Sequence, residues 1–137
     1  MLAFELIQQG KSVLVLNENN AFTSSKVAAG LYNPIVFKRI VKSWMVDEVL
    51  PAANFLYAMM EDVLGKKFHH KREIVKLFSS ADEKEFWMTR AESPELSAYL
   101  ANQSDEDFLK DKIENVFSCS FVKQAGNVDF PLMLALM

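Results

Sequence analysis

Residues 23–34 carry side chains that could bind a phosphate-bearing cofactor. They read T-S-S-K-V-A-A-G-L-Y-N-P, with hydroxyls first, then small residues, then a glycine. Only residues without bulk and backbone N–H groups can approach a pyrophosphate or a planar ring closely. The candidate cofactor-binding residues are therefore Ser24, Ser25, Ala28, Ala29 and Gly30. The alternative interpretation is that Ala-Ala-Gly packs in a crowded contact between a helix and a sheet.

Two polar residues, Asn17 and Glu18, follow the apolar run V-L-V-L at residues 13–16 and are further cofactor-binding candidates. Such a run directly after a helix predicts a parallel strand that is buried on both faces. In a βαβ nucleotide-binding unit, a carboxylate at the tip of the second strand accepts hydrogen bonds from the adenosine ribose. We expect Asn17 and Glu18 to occupy that tip.

The residues before this strand predict the helix that positions it. Leu2 and Leu6, and likewise Ala3 and Ile7, stand at i, i+4 spacing, and Gly10 follows as the C-terminal glycine. This order of elements, a helix followed by a glycine, a strand and a polar tip, matches the second half of a βαβ unit. We expect Leu2, Leu6 and Ile7 to pack the helix onto the strand. Any α/β protein can contain one such step, so this pattern alone leaves a dinucleotide site open.

Residues 1–40 resemble the glycine oxidase, sarcosine oxidase and D-amino-acid oxidase superfamily of flavoproteins. The matching pattern is A-x-x-L-x-x-x-G-x-x-V-x-V-L-N-E, followed by S-S-x-x-A-A-G-L-x-N-P. A second match, F-V-K-Q-A-G-N-V-D at residues 121–129, looks like the family's strand and turn that lead back from the substrate domain. In that family a glycine and an aspartate there introduce a helix.

The resemblance implies FAD as the cofactor and oxidation of a C–N bond in an amine or amino acid. Hydride would pass from the substrate α-carbon to flavin N5, and oxygen or another acceptor would reoxidise the flavin. Cations after the small-residue loop lie near the active site in this superfamily, so Lys38 and Arg39 are candidates for binding a substrate carboxylate. The alternative is that both are surface charges. No catalytic residue is assigned.

The sequence departs from the family pattern in two ways. It contains no G-x-G-x-x-G fingerprint, whose glycines seat the pyrophosphate on the N-terminus of the first helix. The ribose-binding acid position falls on Asn17, whose neutral amide weakens the site without excluding it. The alternative function is a non-catalytic interaction or scaffold domain that uses an incomplete Rossmann-like half.

The expected fold class is α/β with mixed α+β character, comprising a partial Rossmann-like half and the start of an antiparallel substrate domain. We expect a partial FAD-binding segment at 1–40, a substrate-domain segment at 41–125, and a helix at 126–137 that returns to the FAD-binding domain. Both ends read as cuts through a larger fold, because the first helix lacks an N-capping residue and the apolar last helix lacks a partner. The 137-residue chain is therefore expected to be inactive and to self-associate through exposed terminal helices.

Local patterns predict the elements between these ends. A long helix is expected at 47–64, with Pro51 near its first turn and Gly65 at its end. Ser80 with Glu83 predicts a capping box for a helix to about residue 91. The remaining expectations are strands at 68–71 and 73–78 with a hairpin at 71–72, a helix at 95–101, an acidic surface loop at 104–114, and a helix capped by Asp129 with Pro131 in its first turn.

The composition of the chain gives no support for several other functions and kinds of site. The net charge of −3 gives no electrostatic reason to expect nucleic acid or an anionic membrane as a partner. The single cysteine, Cys119, cannot form an internal disulfide, which fits a reducing cytoplasm. It alternates with apolar residues, which predicts a buried position in a strand. Adjacent strand residues point to opposite faces, so His69 and His70 do not predict a metal site.

Overall fold

The computed structural model describes residues 1–16, 18, 23–103 and 117–137. Over these residues the chain combines helices with strands that pair antiparallel. The helices are α1 (Leu2–Gln8), α2 (Ser24–Val27), α3 (Val46–Leu64), α4 (Ala81–Ala91) and α5 (Phe130–Ala135). The strands are β1 (Leu31–Tyr32), β2 (Ile35–Val36), β3 (Val41–Lys42), β4 (His69–Lys71), β5 (Ile74–Phe78), β6 (Ser118–Val122) and β7 (Gly126–Val128). No helix in the described ranges combines the length and apolar character needed to cross a bilayer.

The longest helix, α3, confirms the prediction for residues 47–64 to within one residue. It begins after Met45 and ends at Gly65, which adopts the left-handed conformation with φ +68° and donates its N–H to the Glu61 carbonyl. Pro51 lies inside the helix rather than at its very start. Leu50 and Met60 are buried, so the predicted apolar stripe does face the protein core.

Helix α4 confirms the predicted capping box. The Ser80 hydroxyl accepts a hydrogen bond from Glu83 N–H over 3.2 Å. The Glu83 carboxylate reaches back to Ser79, accepting from its N–H at 2.7 Å and its hydroxyl at 2.9 Å. Lys76 on β5 donates to the same carboxylate at 2.5 Å, and this contact ties the start of α4 to the sheet.

The strands form three small sheets. The order of the largest is β1-β7-β4, while β2 pairs with β3 as a hairpin and β5 pairs with β6. The prediction of a hairpin at residues 71–72 is wrong, because β4 and β5 do not pair with each other. Instead, residues 69–78 run alongside residues 118–128, so β4 pairs with β7 and β5 with β6.

A β-bulge divides this long antiparallel ribbon. Lys71 pairs with Gly126 and Ile74 with Val122, so two residues on one strand oppose three on the other. The extra residue falls where Gln124 adopts a left-handed φ of +60°. The register therefore shifts by one residue between the two halves of the ribbon.

Two clusters of buried side chains make up the described core. The first surrounds Trp87, Leu96 and Val122. The second joins the two ends of the chain, because Phe4 of α1 and Met133 of α5 pack with Met60, Phe68 and Val128. Asp129 caps α5 as predicted, with its carboxylate accepting from Leu132 N–H over 2.9 Å, and Pro131 lies in the first turn.

The prediction of a buried strand at residues 13–16 is wrong. These residues have no regular secondary structure, and Leu14, Val15 and Leu16 are 83%, 68% and 86% exposed. In the described ranges no strand pairs with this segment. Accordingly α1 does not pack through Leu2 and Ile7, which are exposed, but through Phe4.

Two other expectations differ from the structure or lie outside it. Residues 94–99 form consecutive turns rather than the predicted helix, and Leu100 makes an isolated bridge to Val122. The acidic loop predicted at 104–114 lies outside the described residues.

Candidate functional site

The two segments that carry the family resemblance lie side by side. Leu31 and Tyr32 pair with Asn127 and Gly126, although about a hundred residues separate them in the chain. The Val128 N–H donates to the Gly30 carbonyl oxygen over 3.0 Å. A site built from residues 23–34 and 121–129 is thus structurally continuous.

Glycines occupy both points where these segments touch. Gly30 has a φ of +66°, and a Cβ on it would overlap the Val128 carbonyl group. A Cβ on Gly126 would overlap the His70 carbonyl oxygen and the Tyr32 hydroxyl. Close contact between strands accounts for Gly30, so this glycine fits the crowded-packing interpretation as well as a cofactor loop.

The small residues after α2 line a surface cleft of about 390 Å³. Ala28, Ala29 and Gly30 form one side, and Tyr32 and Tyr57 contribute aromatic rings. Ala28 and Ala29 are themselves exposed. The cleft can therefore receive a flat, largely apolar group that approaches the backbone of residues 28–30.

The other predicted site residues are not gathered at this cleft. Ser24 and Ser25 are exposed on α2, and Glu18 is exposed after the irregular segment. Asn17 lies outside the described residues. Lys38 and Arg39 are exposed in the turn that joins β2 to β3 and do not line this cleft.

The structure brings together a polar aromatic group, Tyr32, Tyr57 and His69, that was not predicted from the sequence. The Tyr32 hydroxyl and His69 Nε2 are hydrogen-bonded at 2.8 Å, and the Tyr57 ring lies 5.0 Å from the His69 ring between centroids. Burial raises the pKa of both tyrosines, with the neighbouring phenol adding to the effect on Tyr32. Burial also lowers the pKa of His69 below 6.5. At neutral pH all three side chains are therefore uncharged.

Glu61 of α3 fixes the position of His69. Its Oε1 accepts hydrogen bonds from the N–H groups of Phe68 and His69, each over 2.8 Å. Burial opposes ionisation of this carboxyl, but the two N–H groups together with the charges of His69 and Lys67 outweigh it and hold the Glu61 pKa below 4.5. The charge of Glu61 in turn partly offsets the effect of burial on the pKa of His69.

A second cleft, of about 460 Å³, is lined by Glu61 and by the basic residues Lys67, Lys71 and Arg72. His69 and His70 also line it. In the described part of the chain, no three His, Cys, Asp or Glu side chains are grouped to hold a metal ion. Cys119 is buried at 1% exposure within β6, as its alternation with apolar residues predicted.

No protein-family model matches the chain, and no solved structure matches it. The functional interpretation therefore rests on the residues and their geometry.

Proposed function

We propose that the chain is part of a flavin-dependent oxidoreductase that oxidises a C–N bond of an amine or amino acid. The observation that supports this proposal is the contact between the two segments that resemble the amino-acid oxidase superfamily. Residues 30–32 and 126–128 meet through paired strands, with a glycine at each close approach. If the resemblance of these two segments were a coincidence, there would be no reason for them to be neighbours in the fold.

The cleft beside Ala28 and Ala29 suits the ring system of FAD. Its small residues leave the backbone accessible, and Tyr32 and Tyr57 provide aromatic surface for a planar group. When bound, the flavin would supply the acceptor for the substrate's hydride. The chain's own contribution would be to position the ring through Ala28, Ala29 and Gly30 and to exclude water beside Tyr32 and Tyr57.

Binding of the remaining parts of cofactor and substrate follows from the same proposal. Ser24 and Ser25 would contact the phosphates, and Asn17 with Glu18 the ribose. Lys38 and Arg39 would bind a substrate carboxylate from the β2–β3 turn. Because no glycine-rich turn is present to seat the pyrophosphate, we propose that the 137-residue chain binds FAD weakly and is inactive alone.

Equilibrium dialysis against FAD tests the proposal. A chain that carries a strand and a G-x-G-x-x-G turn ahead of Met1 should bind FAD and become yellow, whereas the 137-residue chain should not bind at micromolar concentration. In the extended chain, Asn17→Asp should tighten binding by up to about 1 kcal/mol through a charge-assisted hydrogen bond. Ala29→Trp should block binding, while Ala58→Trp on α3, outside this cleft, should not.

Two results would contradict the proposal. An extended chain that stays colourless would exclude the flavin function. Micromolar FAD binding by the 137-residue chain would show that the site lies elsewhere.

The second candidate function is a non-catalytic interaction domain. The observation that favours it is the exposure of three consecutive apolar residues, Leu14, Val15 and Leu16. Exposed apolar patches of this kind mark surfaces that bind another protein. A colourless extended chain that binds a protein partner through this segment would support the second function.

A further inference from the structure

We propose that the second cleft, called the basic cleft from here on, binds the phosphate group of a small phosphomonoester. Its lining includes three cations, Lys67, Lys71 and Arg72, and one carboxylate, Glu61. Its volume of about 460 Å³ lies within the range of clefts that bind small organic molecules. This inference goes beyond flavin oxidation and does not depend on it.

The three cations come from one short stretch of the chain that includes β4. Lys67 precedes the strand, Lys71 is its last residue and Arg72 follows it. Residues 66–72 read K-K-F-H-H-K-R, whereas the whole chain has a net charge of −3. Positive charge is thus concentrated at one place on a protein that is negative overall, and three of these cations line the same cleft.

No carboxylate in the described part of the chain forms a direct ion pair with Lys67, Lys71 or Arg72, because the ion pairs present there join other residues. Like charges that line one cleft repel each other, and an anion bound between them relieves this repulsion. The positive charge already affects His69, whose pKa is lowered by burial and further by the charges of Lys71 and His70. The cleft therefore favours an anionic ligand.

Hydrogen bonds hold two of the charged groups in place. Arg72 Nε donates to Asn127 Oδ1 on β7 over 3.1 Å, which positions the guanidinium beside the sheet. The terminal amino groups of a guanidinium can form two parallel hydrogen bonds with a phosphate. Glu61 Oε1 accepts from the N–H groups of Phe68 and His69, so the one negative charge of the lining is fixed at the start of β4.

The charge of the lining matches a phosphomonoester. Three cations and one carboxylate give a formal charge of +2 before either histidine is protonated. A phosphomonoester carries about −1.5 to −2 near pH 7, and its three terminal oxygens can accept hydrogen bonds from several cations at once. Because the three cations are exposed to solvent, which screens their charge, we expect a Kd on the order of 1 mM.

The histidines provide a readout that is specific to this cleft. The chain contains two, His69 and His70, and both line the basic cleft. A ligand bound there should shift the NMR signals of their ring protons, whereas a ligand bound elsewhere should not.

The experiment titrates the full chain with glycerol 3-phosphate at about pH 7.5, above the second phosphate pKa of about 6, and follows these signals. Glycerol, which lacks the phosphate, should not shift them. Dimethyl phosphate is a diester with a single charge, as in a nucleic-acid backbone, and should bind at least about fivefold more weakly. Raising the salt concentration from about 10 mM to about 150 mM should weaken glycerol 3-phosphate binding several-fold, because the screening length falls from about 30 Å to about 8 Å.

Variants test which residues form the site. Lys71→Ala and Arg72→Ala should each weaken binding about tenfold, because each removes a charge-assisted hydrogen bond. Lys66→Ala is the matched control: it changes the net charge equally, but Lys66 is exposed beside Lys67 and does not line the basic cleft. Its Kd should stay within about twofold of the unaltered chain, since a solvated charge outside the cleft is screened.

Glu61→Gln should strengthen binding about threefold, because it removes the one negative charge of the lining. The glutamine amide oxygen can still accept the two N–H groups at the start of β4, and a gain in affinity cannot arise from misfolding.

The proposal is overturned if glycerol 3-phosphate shifts neither histidine at about 10 mM, ten times the expected Kd. Equal binding of dimethyl phosphate would exclude a phosphomonoester site. The proposal is also wrong if Lys66→Ala weakens binding as much as Lys71→Ala, or if Glu61→Gln weakens it.

Discussion

Gly30 and Val128 lie in direct backbone contact. Val128 N–H donates to the Gly30 carbonyl oxygen over 3.0 Å, and the space that a Gly30 Cβ would occupy is already filled by the Val128 carbonyl group. This contact joins the small-residue loop to β7 and, through Val128, to the second core cluster.

The first prediction concerns this contact. Gly30→Ala should lower the free energy of unfolding by at least about 3 kcal/mol, because it combines a left-handed backbone with overlap against a carbonyl that cannot move aside. Gly65→Ala is the matched control: Gly65 has nearly the same φ, +68°, but has no atom within 4 Å of its Cβ position. Its loss should be about 1 kcal/mol. Urea unfolding of both variants measures the difference, and equal losses would show that the contact is not tight.

The second prediction concerns Tyr99, whose hydroxyl donates to Asp47 Oδ1 over 2.6 Å. Burial and the bond to Asp47 raise the pKa of Tyr99 to about 12, against 10.0 ordinarily. The raised pKa favours the folded state below pH 10, and this stabilisation is lost as the pH rises towards 12. Ultraviolet titration of the folded chain should show a tyrosinate component near pH 12 that Tyr99→Phe removes. A single transition at the pH of the urea-unfolded chain would contradict this.

The third prediction concerns Glu83. Its hydrogen bonds from Lys76 and Ser79 lower its pKa from 4.5 to about 2. Because the pKa is lowered, the stabilisation is present above pH 4.5 and is lost as the pH falls towards 2. Glu83→Gln should therefore cost about 1 kcal/mol at pH 7, with a difference from the unaltered chain that disappears near pH 2. Glu85→Gln, at an exposed position of the same helix, is the control and should change little at either pH.

The end of α3 and the starts of α4 and α5 could be predicted from the sequence because each depends on residues close to it in the chain. The residues that determine them are Gly65 for α3, Ser80 with Glu83 for α4, and Asp129 with Pro131 for α5. Strand pairing was not predictable in the same way. A hairpin at residues 71–72 and pairing with residues 118–128 satisfy the same local preferences, and only packing against both core clusters distinguishes them.

Only the part of the candidate site that comes from residues adjacent in the sequence could be predicted. The clustering of Ala28, Ala29 and Gly30 along one cleft follows from their adjacency. The hydrogen bond between Tyr32 and His69 spans 37 residues and leaves no periodic signal. The apolar run at 13–16 was misinterpreted because apolar content predicts burial only when neighbouring elements cover it.

The fourth prediction concerns the electrostatic coupling of Glu61 and His69. Because the Glu61 charge raises the His69 pKa against the larger effect of burial, Glu61→Gln should lower that pKa further below 6.5. A lowered histidine pKa stabilises the fold above pH 6.5, and the stabilisation is lost as the pH falls through the folded-state value. NMR titration of the His69 ring protons measures the change. Asp62→Asn, at the exposed next position, should leave the His69 pKa where it was; a shift equal to that of Glu61→Gln would contradict a specific coupling.

The fifth prediction concerns the exposed residues Leu14, Val15 and Leu16. At about 25 cal/mol per Å² of apolar area, covering a few hundred Å² favours association by several kcal/mol. The chain should therefore self-associate at micromolar concentration in sedimentation experiments, and replacing all three residues with serine should reduce the association. Phe55→Ser removes one apolar side chain that is 72% exposed on α3 and should have a smaller effect. A monomeric unaltered chain would contradict the prediction.

The bulge at Gln124 restricts where residues can be inserted or deleted. Val122 and Val128 would share one face of a regular strand, but the extra residue turns them to opposite faces, and each packs in a different core cluster. Deletion of the single codon for Gln124 would move every side chain of β7 to the wrong side of the ribbon. An insertion between the exposed residues Lys38 and Arg39 would leave both clusters intact. Length variation among descendants of this sequence should therefore be confined to such turns and absent from residues 123–125.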